Sequence, residues 1–195
     1  VTEVPNVRRA SKYYGYEFFS NPNTEFQPSL NMATPQNYVL GAEDVLNITL
    51  SGMNETEIVA KVSRDGFVKI EYVGLVSVNG LTIEQAKQRI YSKMAKSYPA
   101  LSMGKTKLNI SLDNVRTIRV SVVGEVERPG AYQVSALASV FNVLYLTGGP
   151  TEKGSLRSIQ LVRDNKVVKH IDLYPFLQNG LLPENIRLQD QDVLV

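Results

Sequence analysis

From Tyr38 to Val195 the chain is written in short β-rich runs closed by Gly, Asn, Asp or Pro and interrupted by a few segments of helical spacing. This punctuation constrains the fold more than any other feature, because such runs read as strands joined by tight turns. Val45, Ile48 and Leu50, then Ile58, Val59 and Val62, then Phe67, Val68 and Ile70 supply the first three runs. Arg64-Asp65-Gly66 is a turn signal, since Gly accepts a positive φ, and it predicts a hairpin across Ser63 to Val68.

Thr82-Ile83-Glu84-Gln85 then has the form of a capping box, with Thr82 able to cap the Gln85 amide and Gln85 able to reach back. Ile83, Ala86, Ile90 and Met94 recur at helical spacing, Lys87, Arg89 and Lys93 fall on other faces, and Pro99 stops the run. Lys105 to Leu112 alternates and reads as a returning strand. A second module repeats the logic. Ile118, Val120, Val122 and Val126 predict strands, Pro129-Gly130 a turn, and Ser135 the start of a helix carrying Leu137, Val140, Phe141 and Leu144. Gly148-Gly149-Pro150 ends that helix. Ile159 to Val162 and Val167 to Ile171 form a hairpin joined at Asp164-Asn165, Asp172 caps a short helix through Phe176 and Leu177, and Asp192 to Val195 is the last strand. The fold class expected is α+β: two tandem small modules, the second β-grasp-like, with helices on one face.

Residues 1–37 are polar and aromatic. Tyr13, Tyr14, Tyr16, Phe18 and Phe19 crowd together, with Pro22, Pro28 and Pro35 beyond them, and they read as an extended arm pinned by its aromatic rings. No run of about 18 apolar residues suggests a membrane span. The start at Val1 without Met and the strand-like end at Val195 lead us to expect further sequence on both sides.

Chemistry-bearing patterns are few. With no cysteine, disulfides, thiolate metal sites and cysteine nucleophiles are excluded. A formal net charge of +2 is too small to point to nucleic acid or an anionic membrane, so any basic site must be local. Gly104-Lys105-Thr106 resembles the end of a phosphate-binding loop, but Pro99 stands where its first glycine is required. His170 is the only histidine and reads as an exposed strand residue. Glu125 with Glu127, and Asp190 with Asp192, are pairs capable of acid–base work, as in a carboxylate-based glycosidase, although solvated strand ends are the plainer reading. Arg116, Arg119, Arg128, Lys153 and Arg157 gather around the second module's loops, where guanidinium groups suit anionic sugars, phosphates or subunit contacts; ordinary solvated charge is the alternative. No catalytic, metal or cofactor-binding residue is assigned.

With these residues in hand, the chain resembles the outer-membrane polysaccharide export family, in which an export domain is followed by soluble-ligand-binding β-grasp (SLBB) modules. The first module carries the likeness in Tyr38-Val39-Leu40-Gly41-Ala42-Glu43-Asp44-Val45-Leu46, Asp65-Gly66, Val73-Gly74-Leu75-Val76 and Gly80-Leu81-Thr82. The second carries it in Val123-Gly124-Glu125-Val126, Pro129-Gly130-Ala131-Tyr132, Gly148-Gly149-Pro150, Gly154-Ser155-Leu156-Arg157 and Asp190-Gln191-Asp192-Val193. Where the family often shows Gly-Pro-Gly-Asp, this chain has Gly41-Ala42-Glu43-Asp44 and lacks the second glycine.

The resemblance covers Tyr38 to Val195 and, after the arm over 1–37, implies an export domain over 38–114 and an SLBB domain over 115–195. It further implies a non-catalytic, passive conduit assembled as a homo-oligomeric ring in the periplasm, attached to the outer membrane in the full-length protein. Its partners would be a capsule or exopolysaccharide polymer and an inner-membrane polysaccharide synthesis or co-polymerase component, with no nucleic acid and no cofactor. Family members also carry a lipid-modified cysteine, absent from this sequence. The rival reading is a soluble glycan- or ligand-binding β-grasp module without a transport role, in which Tyr132 or Tyr145 stacks on sugar. For either reading Arg116, Arg119, Arg128, Tyr132, Lys153 and Arg157 are the ligand or subunit contacts expected.

Overall fold

The computed structural model describes residues 14–19, 38–53, 55–181 and 186–195; Tyr13, Pro22, Pro28 and Pro35 of the expected arm lie outside them. It contains both helices and sheets, and its described residues divide into two compact units. One falls within Ser29–Arg116, and the other comprises Thr117–Val195 with the N-terminal residues 14–19.

In the first unit β1 (Val45–Gly52) pairs antiparallel with both β2 (Thr56–Lys61) and β5 (Thr106–Asn114), and β3 (Phe67–Ile70) pairs with β4 (Gly74–Ser77) in a separate ribbon. The turn expected at Arg64-Asp65-Gly66 is present: Gly66 adopts φ 82°, and its amide donates to the Ser63 carbonyl at 2.9 Å. It does not join a hairpin, however. β2 is zipped to β1 and β3 to β4, so the turn passes the chain from one sheet to the other.

Helix α1 (Ile83–Ser97) opens on the capping box read from sequence, with the Thr82 hydroxyl accepting from the Gln85 amide and the Gln85 side chain accepting from the Thr82 amide. Its buried residues are Ile83, Ala86, Ile90 and Met94. They pack on β5 and β4, and burial of each large side chain contributes roughly 1.5–3 kcal/mol. Pro99 ends α1 and starts the single turn α2 (Pro99–Ser102), an N-terminal position where its missing N–H costs nothing. Behind it, Thr106 is buried and its hydroxyl has no hydrogen-bond partner among the described residues, the opposite of a phosphate-loop hydroxyl offered to a ligand.

The second unit is one five-stranded sheet in the order β7-β6-β10-β8-β9, built from β6 (Thr117–Val122), β7 (Gly130–Ser135), β8 (Ile159–Arg163), β9 (Lys166–Ile171) and β10 (Val193–Leu194). β10 lies parallel to β6 and antiparallel to β8. The β8–β9 hairpin turns at Asp164-Asn165 with φ 50° and 60°, the paired positive values of a two-residue hairpin loop. Val126 belongs to no strand and makes a single bridge to Pro150.

Helix α3 (Val140–Thr147) begins at Ser139, not at Ser135. Ser135 closes β7, and its hydroxyl accepts from the Leu137 amide, a local turn that competes with helix, whereas Ser139 and Asn142 complete a second capping box. α3 ends in a Schellman arrangement, the Gly148 amide reaching the Tyr145 carbonyl and the Gly149 amide the Leu144 carbonyl. Short helix α4 (Tyr174–Asn179) has Leu173 at its N-cap. Asp172, expected as the cap, stands one residue earlier and accepts from the Tyr174 amide at 2.8 Å.

The described part of the arm is not extended. Residues 16–19 form a turn of 3-10 helix that places Phe18 edge-on to Phe176 and Tyr145, while the Tyr16 hydroxyl donates to the Gly154 carbonyl at 2.6 Å.

Candidate functional site

Among the described residues the two fully buried carboxylates sit in two clasps of the same design, one in each unit. In the first, Asp44 is fully buried. Its Oδ1 accepts from the Tyr38 hydroxyl at 2.7 Å and the Arg116 amide at 2.9 Å, and its Oδ2 accepts from the Gly41 amide at 2.8 Å and Arg116 Nη1 at 2.7 Å. Arg116 Nη1 also reaches the Tyr38 hydroxyl and the Val39 carbonyl. Gly41 is required because a Cβ there would stand 2.7 Å from Arg116 Nη1. In the second clasp Asp192 is equally buried and receives Arg163 in a bidentate fork, Nε to Oδ1 at 2.7 Å and Nη2 to Oδ2 at 2.8 Å, together with the Gln189 amide at 2.7 Å. The hydrogen bonds that Arg163 donates to Asp192 raise the Arg163 pKa above the ordinary guanidinium value.

The backbones match as well. In each clasp the Asp amide returns to the carbonyl three residues earlier, and the residue before the Asp is left-handed, Glu43 at φ 76° and Gln191 at φ 67°. In each, Val-Leu follows and the Leu is buried, Leu46 at the start of β1 and Leu194 in β10. The reading of Asp190 and Asp192 as a solvated pair is therefore corrected. Asp190 is exposed and caps the Arg119 amide, whereas Asp192 is an internal tie whose carboxylate is enclosed by donors.

A left-handed non-glycine residue costs on the order of 1–2 kcal/mol, part of which Gly returns in unfolded-chain entropy. Gln191→Gly is therefore expected to stabilise the chain by about 0.5–1 kcal/mol in urea unfolding; a loss of stability would show that the hydrogen bond from the Gln191 side-chain amide to Asp190 outweighs the relief of strain. Glu43→Gly should gain less, because the exposed Glu43 carboxylate pairs with Lys61. The hydrogen bond and charge of Lys61 lower the Glu43 pKa, so that contribution is present above the usual carboxylate range and lost as pH falls through the depressed value.

The basic residues singled out as contacts separate into two groups. Arg116 closes its clasp. Arg128 Nη2 donates to the Leu146 carbonyl at 2.8 Å, completing the C-terminus of α3, and the Tyr132 hydroxyl donates to the Arg128 carbonyl. Arg157 lies over the Tyr174 ring at 4.3 Å, a cation–π contact. Arg119 and Lys153 are exposed. Glu125 accepts from the Thr151 hydroxyl, and His170 is exposed on β9, an edge strand of its sheet. The signal that would have found the clasps was visible: Asp-Val-Leu occurs at 44–46 and again at 192–194.

Residues 32–104 match the family described as polysaccharide biosynthesis/export protein, and residues 119–172 match the SLBB domain. Two curated proteins of Escherichia coli, both called polysialic acid transport protein KpsD, are 28% and 27% identical over 173 residues, covering 88% of this chain and 30% of each relative. The chain thus spans about a third of the length of those proteins. In carrying a polysaccharide export match followed in order by an SLBB match, the chain is similar to the outer-membrane polysaccharide export family.

Proposed function

We propose that this chain is the periplasmic part of an outer-membrane translocon for a capsule or exopolysaccharide, acting without covalent chemistry as a passive element of the conduit. The order of export domain and SLBB domain carries the reading. The geometry supports it: the most enclosed carboxylates, Asp44 and Asp192, hold turns and are encircled by donors, the state of structural groups and not of a general acid or base. In this reading the modules assemble with copies of themselves into a ring, with exposed Arg119 and Lys153 available to neighbouring subunits or polymer, and an inner-membrane synthesis component supplies the chain of sugar.

A strain lacking the protein is expected to keep making its polysaccharide but to lose it from the cell surface, with periplasmic accumulation, and re-expression should restore it. Quantifying surface and periplasmic polymer decides the matter. Normal surface polymer in a deletion strain without a redundant homologue removes the export reading and favours the glycan-binding alternative, for which Tyr132 and Tyr145 are the rings to replace.

A further inference from the structure

Helix α1 carries Lys87, Arg89, Lys93 and Lys96 against a single acid, Glu84, within its 15 residues. The charge is not spread evenly around the axis. At 100° per residue Gln88, Ser92, Gln85, Lys96, Arg89 and Lys93 share one stripe about 140° wide, with Lys93 bordering the buried Ala86, Ile90, Ile83 and Met94, and Glu84 falls outside the stripe. All six stripe residues are exposed. With Leu81 they line an open groove of ≈ 510 Å³ that contains no carboxylate. Three cations thus succeed one another over about two helical turns, with Gln85 and Gln88 ahead of them and Ser92 between, on a chain whose net charge is only +2; Arg89 Nη1 also donates to the Ser77 carbonyl and the Ser92 hydroxyl to the Gln88 carbonyl.

That lining specifies its ligand chemically. Spaced cations attract a chain that repeats a negative charge, and amide and hydroxyl groups bond to sugar hydroxyls. The shallow, open form gives contacts that are individually weak and screened by salt, which suits a surface that must release what it holds. A membrane surface fits less well. Interfacial helices bury their apolar face among lipids, whereas the apolar face of α1 is buried in its own module and leaves Leu81 as the one apolar side chain in the groove.

We propose that the Arg89–Lys93–Lys96 face of α1 is a contact for an acidic polysaccharide. The export reading supplies the conclusion that the polymer is a glycan; the helix face supplies its charge.

The test uses the 195-residue chain, polygalacturonate as the acidic probe, dextran as the neutral one and phosphatidylglycerol vesicles as the membrane alternative. The unaltered chain is expected to retard polygalacturonate at low salt and to ignore dextran. R89Q/K93Q/K96Q should weaken that binding about tenfold, in keeping with three exposed charge contacts of up to about 1 kcal/mol each. K69Q/K105Q/K107Q, which removes the same charge from exposed positions off this face, should leave it within about twofold. Equal loss in both triple variants, equal binding of dextran, or tighter binding of vesicles than of polygalacturonate overturns the proposal. Thermal melts of both variants establish that neither is unfolded. The two readings fail separately: unchanged surface polymer in the deletion strain removes export and leaves the binding result standing, whereas unselective binding removes the acidic-polymer contact and leaves export standing.

Discussion

An Asp44→Ala variant is expected to lose about 3–5 kcal/mol of stability in the unit Ser29–Arg116, a large share of the 5–15 kcal/mol that small domains possess. The reason is the number of groups that depend on one carboxylate. Its removal takes the carboxylate from the Arg116 guanidinium, which keeps its contacts to the Tyr38 hydroxyl and the Val39 carbonyl, and orphans the amides of Gly41 and Arg116. Each buried donor left without a partner costs about 1–3 kcal/mol before relaxation. Asp44→Asn should recover little, since an amide nitrogen in place of Oδ1 would face the Arg116 N–H, and in place of Oδ2 the Gly41 N–H and Arg116 Nη1, none of which can accept. Arg116→Met should cost less than either. The Arg116 side chain is 25% exposed, so water can reach the vacated position, and three donors stay on Asp44. Replacing both partners by apolar groups should not restore stability, because the backbone amides remain unpaired. Urea unfolding gives the magnitudes, and hydrogen exchange at Gly41 and Arg116 locates them. Wild-type protection of both amides in Asp44→Ala would show that the clasp is not what orders this turn.

Asp192→Ala carries the same logic into the second unit, with a bidentate Arg163 and the Gln189 amide as the groups released. The two clasps show what could and could not be read from residues alone. Thr82 to Gln85 and Gly148-Gly149-Pro150 were legible because a cap is made by neighbours in sequence, and so was the Asp164-Asn165 hairpin turn. The helix start at Ser135 was misplaced because two serines four residues apart both satisfy a cap pattern, and only the strand pairing of β7 takes Ser135 out of the helix. Ser63 to Val68 looked like a hairpin because a turn signal does not say which sheet each flanking strand joins. The contact residues were the least legible. A partner such as Asp44 for Arg116 lies 72 positions away, and sequence spacing does not reveal whether an arginine closes the fold or faces outward.

Gly149→Ala is expected to destabilise the second unit by about 2–4 kcal/mol, combining the strain of a side chain at left-handed φ with displacement of a buried aromatic. Gly149 sits at φ 79°, and a Cβ there would stand 2.6 Å from Phe19 Cβ and 2.8 Å from its Cγ. The glycine has a second duty besides ending α3, which is to leave room for the N-terminal segment to lie against the helix end. Phe19 is buried, and the residues beside it are tied down by Tyr14 to the Leu177 carbonyl and Tyr16 to the Gly154 carbonyl. The substitution should therefore release residues 14–19 as well as loosen the cap. Brief chymotrypsin treatment is expected to leave this segment intact in the unaltered chain and to cut it at its tyrosines and phenylalanines in Gly149→Ala. Phe19→Ala should cost about 3 kcal/mol alone and much less in the Gly149→Ala background, because the second change removes a ring already displaced. Full additivity of the two, with the segment still protected, would mean that Gly149 acts on α3 alone and that the docking of residues 14–19 does not depend on it.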